Sequence, residues 1–396
     1  MKKLIVKLKQ HTPLIHFQNN KSGEMTIRAT DVKPRLDKYL WKNGGNLDLS
    51  NYQLKKEHDA LDYSMRIVPL QKMTSKIITG KKDRTWSPFF GNMGDEYEGN
   101  EKYLVYPGNF DEVALEVHVK SEHNDIIELI KKHISSFFLH TNFMTRSSKG
   151  FGSFTVVDGS ELDHGKLKAN YFTCRFQNNI ESQSRLFAEI DWFYKAIRGG
   201  INIKDRNRET VFYFKSCLFK YLNAQGIQWD KKTIKSRFLA SAQRKECAEY
   251  QDVIVCNPKA NPKEQQTWKL FLGLASTESW HSEHTTLSAT LKIGKEEFVR
   301  SPSFLTLKPI FLNGEYRVYI IEDYTMLDQY PENAVVNFEW KHENLSLKIG
   351  DVDIMKGFLP WIYNNLDGEH GTPQFYSKAS ILTRIFSELQ RNYQNA

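Results

Sequence analysis

No run of about 18 apolar residues occurs in this chain, so no segment reads as a membrane-spanning helix. Cysteine is scarce, and the four present, Cys174, Cys217, Cys247 and Cys256, include no CxxC pair. That excludes the usual written signature of a structural zinc site or a thioredoxin-like motif. Scattered cysteines fit a reducing cytoplasm. The GxSxG, HExxH and Walker patterns are absent, and with them the commonest sequence signatures of serine hydrolases, zinc proteases and P-loop nucleotidases. Neither a repeat of short fixed period nor an extended low-complexity tract is present. Met1 to Gln10 lack the apolar stretch and small-residue cleavage site of a signal peptide. They read as the first strand of an intracellular protein.

The chain has 396 residues, 40% of them hydrophobic and 13% aromatic, enough to bury a core and to fill two or three domains. The net charge of +8, from 55 basic and 47 acidic residues, leans towards a polyanion partner.

Residues 2–9 alternate apolar and basic, as a half-buried strand does. Pro13 ends the strand, because proline has no N–H for a ladder. A helix is expected from Thr30 to about Lys42, with Val32, Leu36, Tyr39 and Leu40 on one face. A β-ribbon is expected over 63–69 and 72–79, and a Gly-, Asp- and Asn-rich loop over 88–109. A strand over 112–120 follows. The isoleucines and phenylalanines of 124–139 then fall at helical spacing. A Gly-rich segment leads into a strand at 154–157. The order is close to β-α-β-β-α-β, which predicts a ferredoxin-like domain over 1–157 with an insertion at 46–110. The remainder, 158–396, reads as a second such domain with helical insertions. It holds helices at 182–198, 209–224, 231–239 and 243–250, a Pro/Asn linker at 257–263 and strands between 269 and 340. Two helices close it, over 351–366 and 377–392. The fold class is α+β, with tandem ferredoxin-like (RRM-like) domains.

The segment most suited to a ligand is Arg146-Ser147-Ser148-Lys149-Gly150-Phe151-Gly152-Ser153. Glycines let backbone N–H groups approach a phosphate. Arg146 and Lys149 supply charge, Ser147 and Ser148 supply donors, and Phe151 is a candidate to stack on a base. A second group is Arg28 with Lys33, Arg35 and Lys38 on the first helix, a face suited to phosphate. Arg198, Lys215 and Arg300 are further basic candidates in the second half. His11 and His16 follow the first strand, where the general base of an RNA-cleaving site could lie. His281 and His284 are three apart, a spacing that can bind metal, but no third ligand is evident. No metal or cofactor is therefore expected.

These pieces together resemble the RAMP superfamily of CRISPR effector subunits, most closely the large two-domain terminal RAMP subunit of type III-B (Cmr) complexes. The resemblance is carried by His11-Thr12-Pro13-Leu14, by Thr26 to Leu36 and by Arg146 to Phe154. In the second half it is carried by Ile197 to Gly200, the helix around Lys215 to Tyr221, Ser301 to Phe304 and Lys308-Pro309. In the family's opening helix motif Arg28, Thr30, Lys33 and Leu36 match, while Ala29 and Pro34 stand at its glycines. Its Arg-x-x-x-Gly-Phe-Gly-Ser loop is matched by Arg146, Gly150, Phe151, Gly152 and Ser153. Segment 46–110 lies outside the resemblance. The resemblance implies a non-catalytic cytoplasmic subunit of a ribonucleoprotein that acts in defence against foreign nucleic acid. It would contact guide CRISPR RNA and target RNA near the guide 3′ end, along with other effector subunits. The alternatives are a metal-independent endoribonuclease that processes CRISPR RNA through His11 or His16, and a subunit that contacts protein only.

Overall fold

The computed structural model describes residues 1–16, 25–78, 102–157, 167, 169–207, 210–227, 230–238, 266–280, 285–326, 330–366, 371–372 and 379–395. His281, His284, Cys247, Cys256, the linker over 257–263 and the helix expected over 243–250 lie outside these residues. The protein is mixed α+β and divides into two compact units. The first is Met1–Asp191 with Thr306–Ile321, and the second is Trp192–Leu305 with Glu322–Ala396. The first unit thus runs past residue 157, the boundary expected from the sequence, and takes back a later segment.

The first unit opens with β1 (Lys2–Gln10), β2 (Leu14–His16) and α1 (Ala29–Asn43). Then come β3 (Ser64–Pro69), β4 (Met73–Ile78), β5 (Lys102–Pro107), β6 (Leu115–Ser121), α2 (Asn124–His140), β7 (Phe154–Val157) and β8 (Tyr171–Cys174). Four strands form an antiparallel sheet in the order β3-β6-β1-β7. Strand alternation turns Val6, Leu8, Val117 and Val119 to one face. There they pack with Val32, Leu36 and Leu40 of α1 and Ile126, Ile130, Ile134 and Phe137 of α2. The hydrophobic periods of 2 and 3.6 residues meet in one core, so both helices cover the same side of the sheet.

The expected β-ribbon is not formed. β3 pairs with β6, whereas β4 pairs with β5 in a separate sheet of order β2-β5-β4. Residues 102–107, expected as loop, form β5 because Tyr103, Leu104 and Val105 are all buried there. Strands Leu305–Leu312 and Glu315–Glu322 make a further sheet with β8.

In the second unit the largest sheet runs Gln266–Thr267, Glu343–Ile349, Val335–Trp340, Thr285–Ile293, Thr277–Trp280. This is not the β-α-β-β-α-β order expected there. The helix expected over 209–224 is a strand, Thr210–Phe214, followed by a helix, Cys217–Ala224. The run Thr-Val-Phe-Tyr-Phe favours a pleated surface. The Ser216 hydroxyl then starts the helix by accepting the Phe219 N–H at 3.1 Å. Among the described residues no helix is long and apolar enough to cross a membrane.

Candidate nucleic-acid interface

The Gly-rich loop is held from inside. The Lys149 N–H donates to the Arg146 carbonyl at 2.9 Å and the Gly150 N–H to that of Ser147 at 3.2 Å. The Gly152 N–H reaches the Pro13 carbonyl at 2.9 Å, and the Ser153 N–H the Thr12 hydroxyl at 2.9 Å. The Thr12 hydroxyl in turn donates to the Gly150 carbonyl at 2.6 Å. Beyond the loop, the Ser153 hydroxyl donates to the Pro309 carbonyl at 2.6 Å, and Leu307 N–H to Ser148 at 3.0 Å. The anion nest expected from the glycines is therefore not there, because those N–H groups serve the fold. Phe151 needs the same correction. Its ring is fully buried and stacked on Phe187 with centroids 3.9 Å apart, so it offers no face to a base. The motifs His11-Thr12-Pro13 and Gly150-Phe151-Gly152-Ser153 are two halves of one internal lock.

The buried Lys308 closes the lock. Its Nζ donates to the carbonyls of Thr141 and Phe154, each at 2.9 Å, and burial pulls its pKa well below the usual lysine value. His11 is built in as well. Its Nε2 lies 2.8 Å from the Thr155 hydroxyl, and Nδ1 accepts the Phe311 N–H at 3.2 Å. With both nitrogens engaged in the interior, His11 is not placed to act on a substrate.

The basic side chains sort into two groups. Lys33 is turned inward. Its Nζ bonds Asp37 at 2.8 Å and the Leu61 carbonyl at 2.9 Å, and sits 4.2 Å from the Tyr63 ring centroid. Arg198, in the second unit, bonds the Gly273 carbonyl at 2.9 Å and lies 3.4 Å from Glu278, which also holds Lys269 at 3.0 Å. Both were expected to contact RNA, and both are held by the protein instead. Lys215 lies over the Phe219 ring at 4.0 Å, and Arg300 is exposed ahead of strand Ser301–Ser303. Both belong to the second unit. Lys38 is exposed on α1.

The remaining cations converge in the first unit. Arg28 stands at the N-terminus of α1 and Arg35 lies about two turns further along, both exposed. Arg35 reaches the Gly-rich loop, its Nη1 donating to the Asn142 carbonyl at 2.8 Å. Arg146 sits in that loop in the left-handed region, with φ 58°. Its charge is felt at Lys102 of β5, whose pKa is lowered by partial burial and then by Arg146. One strand away, His16 pairs with Tyr103 across the β2–β5 ladder. Burial, and after it the Arg28 charge, lower the His16 pKa, against Asp31 and a hydrogen bond to the Thr26 backbone that raise it. Like charges thus gather in this region, and among the described residues Asp31 is the carboxylate that opposes them at His16 and Arg35.

Among the described residues three buried polar atoms at this spot, His16 Nε2, Thr26 Oγ1 and Asp31 Oδ2, have no hydrogen-bond partner. Leaving a buried polar group unpaired costs about 1–3 kcal/mol. Lys102 and Asp31 were missed as site residues. Lys102 lies in the segment outside the resemblance, and only the pairing of β5 with β2 brings it to α1.

His16 makes stability depend on pH. Its folded-state pKa lies below the ordinary 6.5, so the unfolded chain takes up the proton first as pH falls. The expected result is full stability above pH ~6.5 and a decline below it. Thermal melts of the wild type and His16→Gln between pH 5 and 8 check this, and a wild-type slope equal to that of the variant would refute it.

Among the described residues no three His, Cys, Asp or Glu side chains gather into a metal site. What the arrangement can do is hold a polyanion. The sequence comparisons give the class, a RAMP-superfamily subunit of a type III-B CRISPR effector. Residues 1–201 match the Cmr1 N-terminal domain and residues 213–388 the Cmr1 C-terminal domain. The chain belongs to the Cmr1 family. Among solved structures, the apo form of Cmr1 from Pyrococcus furiosus is similar at 12% identity, over 90% of this chain and 97% of that one, with a TM-score of 0.34. No curated protein sequence matches it.

Proposed function

We propose that this subunit binds guide and target RNA near the guide 3′ end and does not cut it. One observation carries the reading: Arg28, Arg35, Arg146 and Lys102 are assembled from α1, the Gly-rich loop and β5 around His16. Cations gathered from three elements offer a phosphate backbone several charge-assisted contacts at once. The strand order β3-β6-β1-β7, with both helices on one face, supports a ferredoxin-like plan for the first unit. The second unit supports no such plan as directly.

Purification of the tagged chain from its host at low salt tests the role. Repeat-derived small RNA together with several partner proteins is the expected result. A lone protein free of RNA would count against it. A second reading, cleavage, is favoured by His16 alone, a histidine whose pKa is lowered by burial and whose Nε2 has no hydrogen-bond partner among the described residues. Chelator-insensitive cutting of repeat RNA that disappears in His16→Gln would establish it.

A further inference from the structure

The four-stranded sheet of the first unit has a second face, turned away from α1 and α2. Alternation places Lys3, Ile5, Lys7 and Lys9 of β1 there, with Ser64, Arg66 and Val68 of β3 and Glu116, His118 and Lys120 of β6. β7 adds Thr155 and Val157. Lys3, Ile5, Lys7, Arg66, Lys120 and Val157 are all exposed, Ile5 at 45% and Val157 at 37%.

The register of this face is unusual for a surface that serves only stability. Lys3 stands directly opposite Lys120, and Arg66 directly opposite His118. Like charges paired across strands destabilise a sheet, where opposite charges would support it. Among the described residues the face carries one carboxylate, Glu116. It lies opposite Lys7, and its Oε2 is 2.9 Å from His118 Nε2. At the rim Lys9 comes within 3.7 Å of Asp111. Among the described residues Lys3, Lys7, Arg66 and Lys120 make no ion pair. A face that sets Lys3 against Lys120 and leaves Lys3, Lys7, Arg66 and Lys120 exposed has the charge complement of a phosphate backbone.

We propose that this face is a second RNA-binding surface, on the opposite side of the sheet from the α1 cluster, and that it holds a single strand by its phosphates. Among the described residues it presents no Phe, Tyr or Trp ring for a base to stack on, so contact is electrostatic and independent of sequence. Two surfaces on opposite sides of one sheet give a single subunit a grip on two strands, or on two stretches of one. The inference goes beyond the α1 cluster and uses none of its residues, so the two readings fail separately.

The test uses the full chain, a mixed-sequence single-stranded RNA without hairpins, and fluorescence anisotropy over a range of KCl. The triple variant Lys3→Thr/Lys7→Thr/Lys120→Thr keeps strand-forming residues. It is expected to bind roughly tenfold more weakly, with the slope of log affinity against log salt smaller by about 2. Its melting temperature is expected to hold or rise, because the Lys3–Lys120 repulsion is gone. The companion Lys3→Arg/Lys7→Arg/Lys120→Arg is expected to bind as the wild type does. Unchanged affinity and slope in the threonine triple would overturn the proposal while leaving the α1 cluster standing. A lowered melting temperature would also overturn it, by showing that the lysines serve the sheet. If RNA binding is untouched but partner subunits are lost on purification, the face meets an acidic protein surface, and the proposal falls.

Discussion

Gly152→Ala is expected to destabilise the first unit by about 3 kcal/mol or more, a loss large enough to leave much of the protein insoluble. The backbone at Gly152 has φ +68°, a region that costs an alanine strain wherever it occurs. Space makes the substitution worse. A Cβ there would lie 2.2 Å from the Phe143 carbonyl oxygen and 3.0 Å from a Leu14 methyl. The obstacle is backbone, and it is pinned. The Phe143 N–H donates to the Gly152 carbonyl at 3.0 Å while the Gly152 N–H donates to Pro13 at 2.9 Å. Relief of the clash must break at least one of these buried bonds. Thermal melts and the soluble yield of the variant check this. A melting temperature within a degree or two of wild type would show that the glycine is there for a ligand and not for the lock. The size of the expected effect separates a fold-holding loop from a phosphate nest, because a nest glycine facing solvent tolerates a methyl group far better.

That contrast also marks what could be read from the sequence. The Gly-rich loop stood out, and so did His11-Thr12-Pro13. Neither revealed that it was the other's partner, because the contact joins residues 138 apart, and spacing within one segment carries no such information. Helix α2 was plain, since Ile126, Ile130 and Ile134 repeat at the period of a buried stripe. α1 was plain as a helix, yet the sequence could not tell Lys33 from Arg35. Two residues apart, they point to different faces. One is folded onto Asp37 and Tyr63, the other runs out to Asn142. The β-ribbon misreading has a like cause. β3 and β4 are separated by a turn that would suit a hairpin, but both are claimed by later strands, β6 and β5. Local preference proposes a pairing and the whole core decides it.

The claim that the α1 cluster binds RNA is tested most sharply by removing its three arginines together. The variant Arg28→Ala/Arg35→Gln/Arg146→Asn is chosen so that each replacement fits its backbone. Asparagine tolerates the left-handed region in which Arg146 sits, with φ 58°, better than alanine does. Glutamine at position 35 keeps an amide that can still donate to the Asn142 carbonyl, which Arg35 now meets at 2.8 Å. Arg28 is exposed and makes no side-chain cap, so alanine there removes its charge without removing a cap. The expected outcome is a loss of RNA affinity of about a hundredfold at moderate salt. The salt slope should fall by about 2, since each phosphate contact to a single strand contributes about 0.7. The positive charge beside His16 and Lys102 is removed with the three arginines. Both groups should then titrate closer to their ordinary values. The His16 shift is readable by NMR without any RNA present, and it shows whether the arginines act at this spot at all. Full RNA affinity in a folded triple variant would remove the cluster from the interface, whatever the family implies. Weak binding that keeps its original salt slope would mean that the arginines shape the site without touching phosphate.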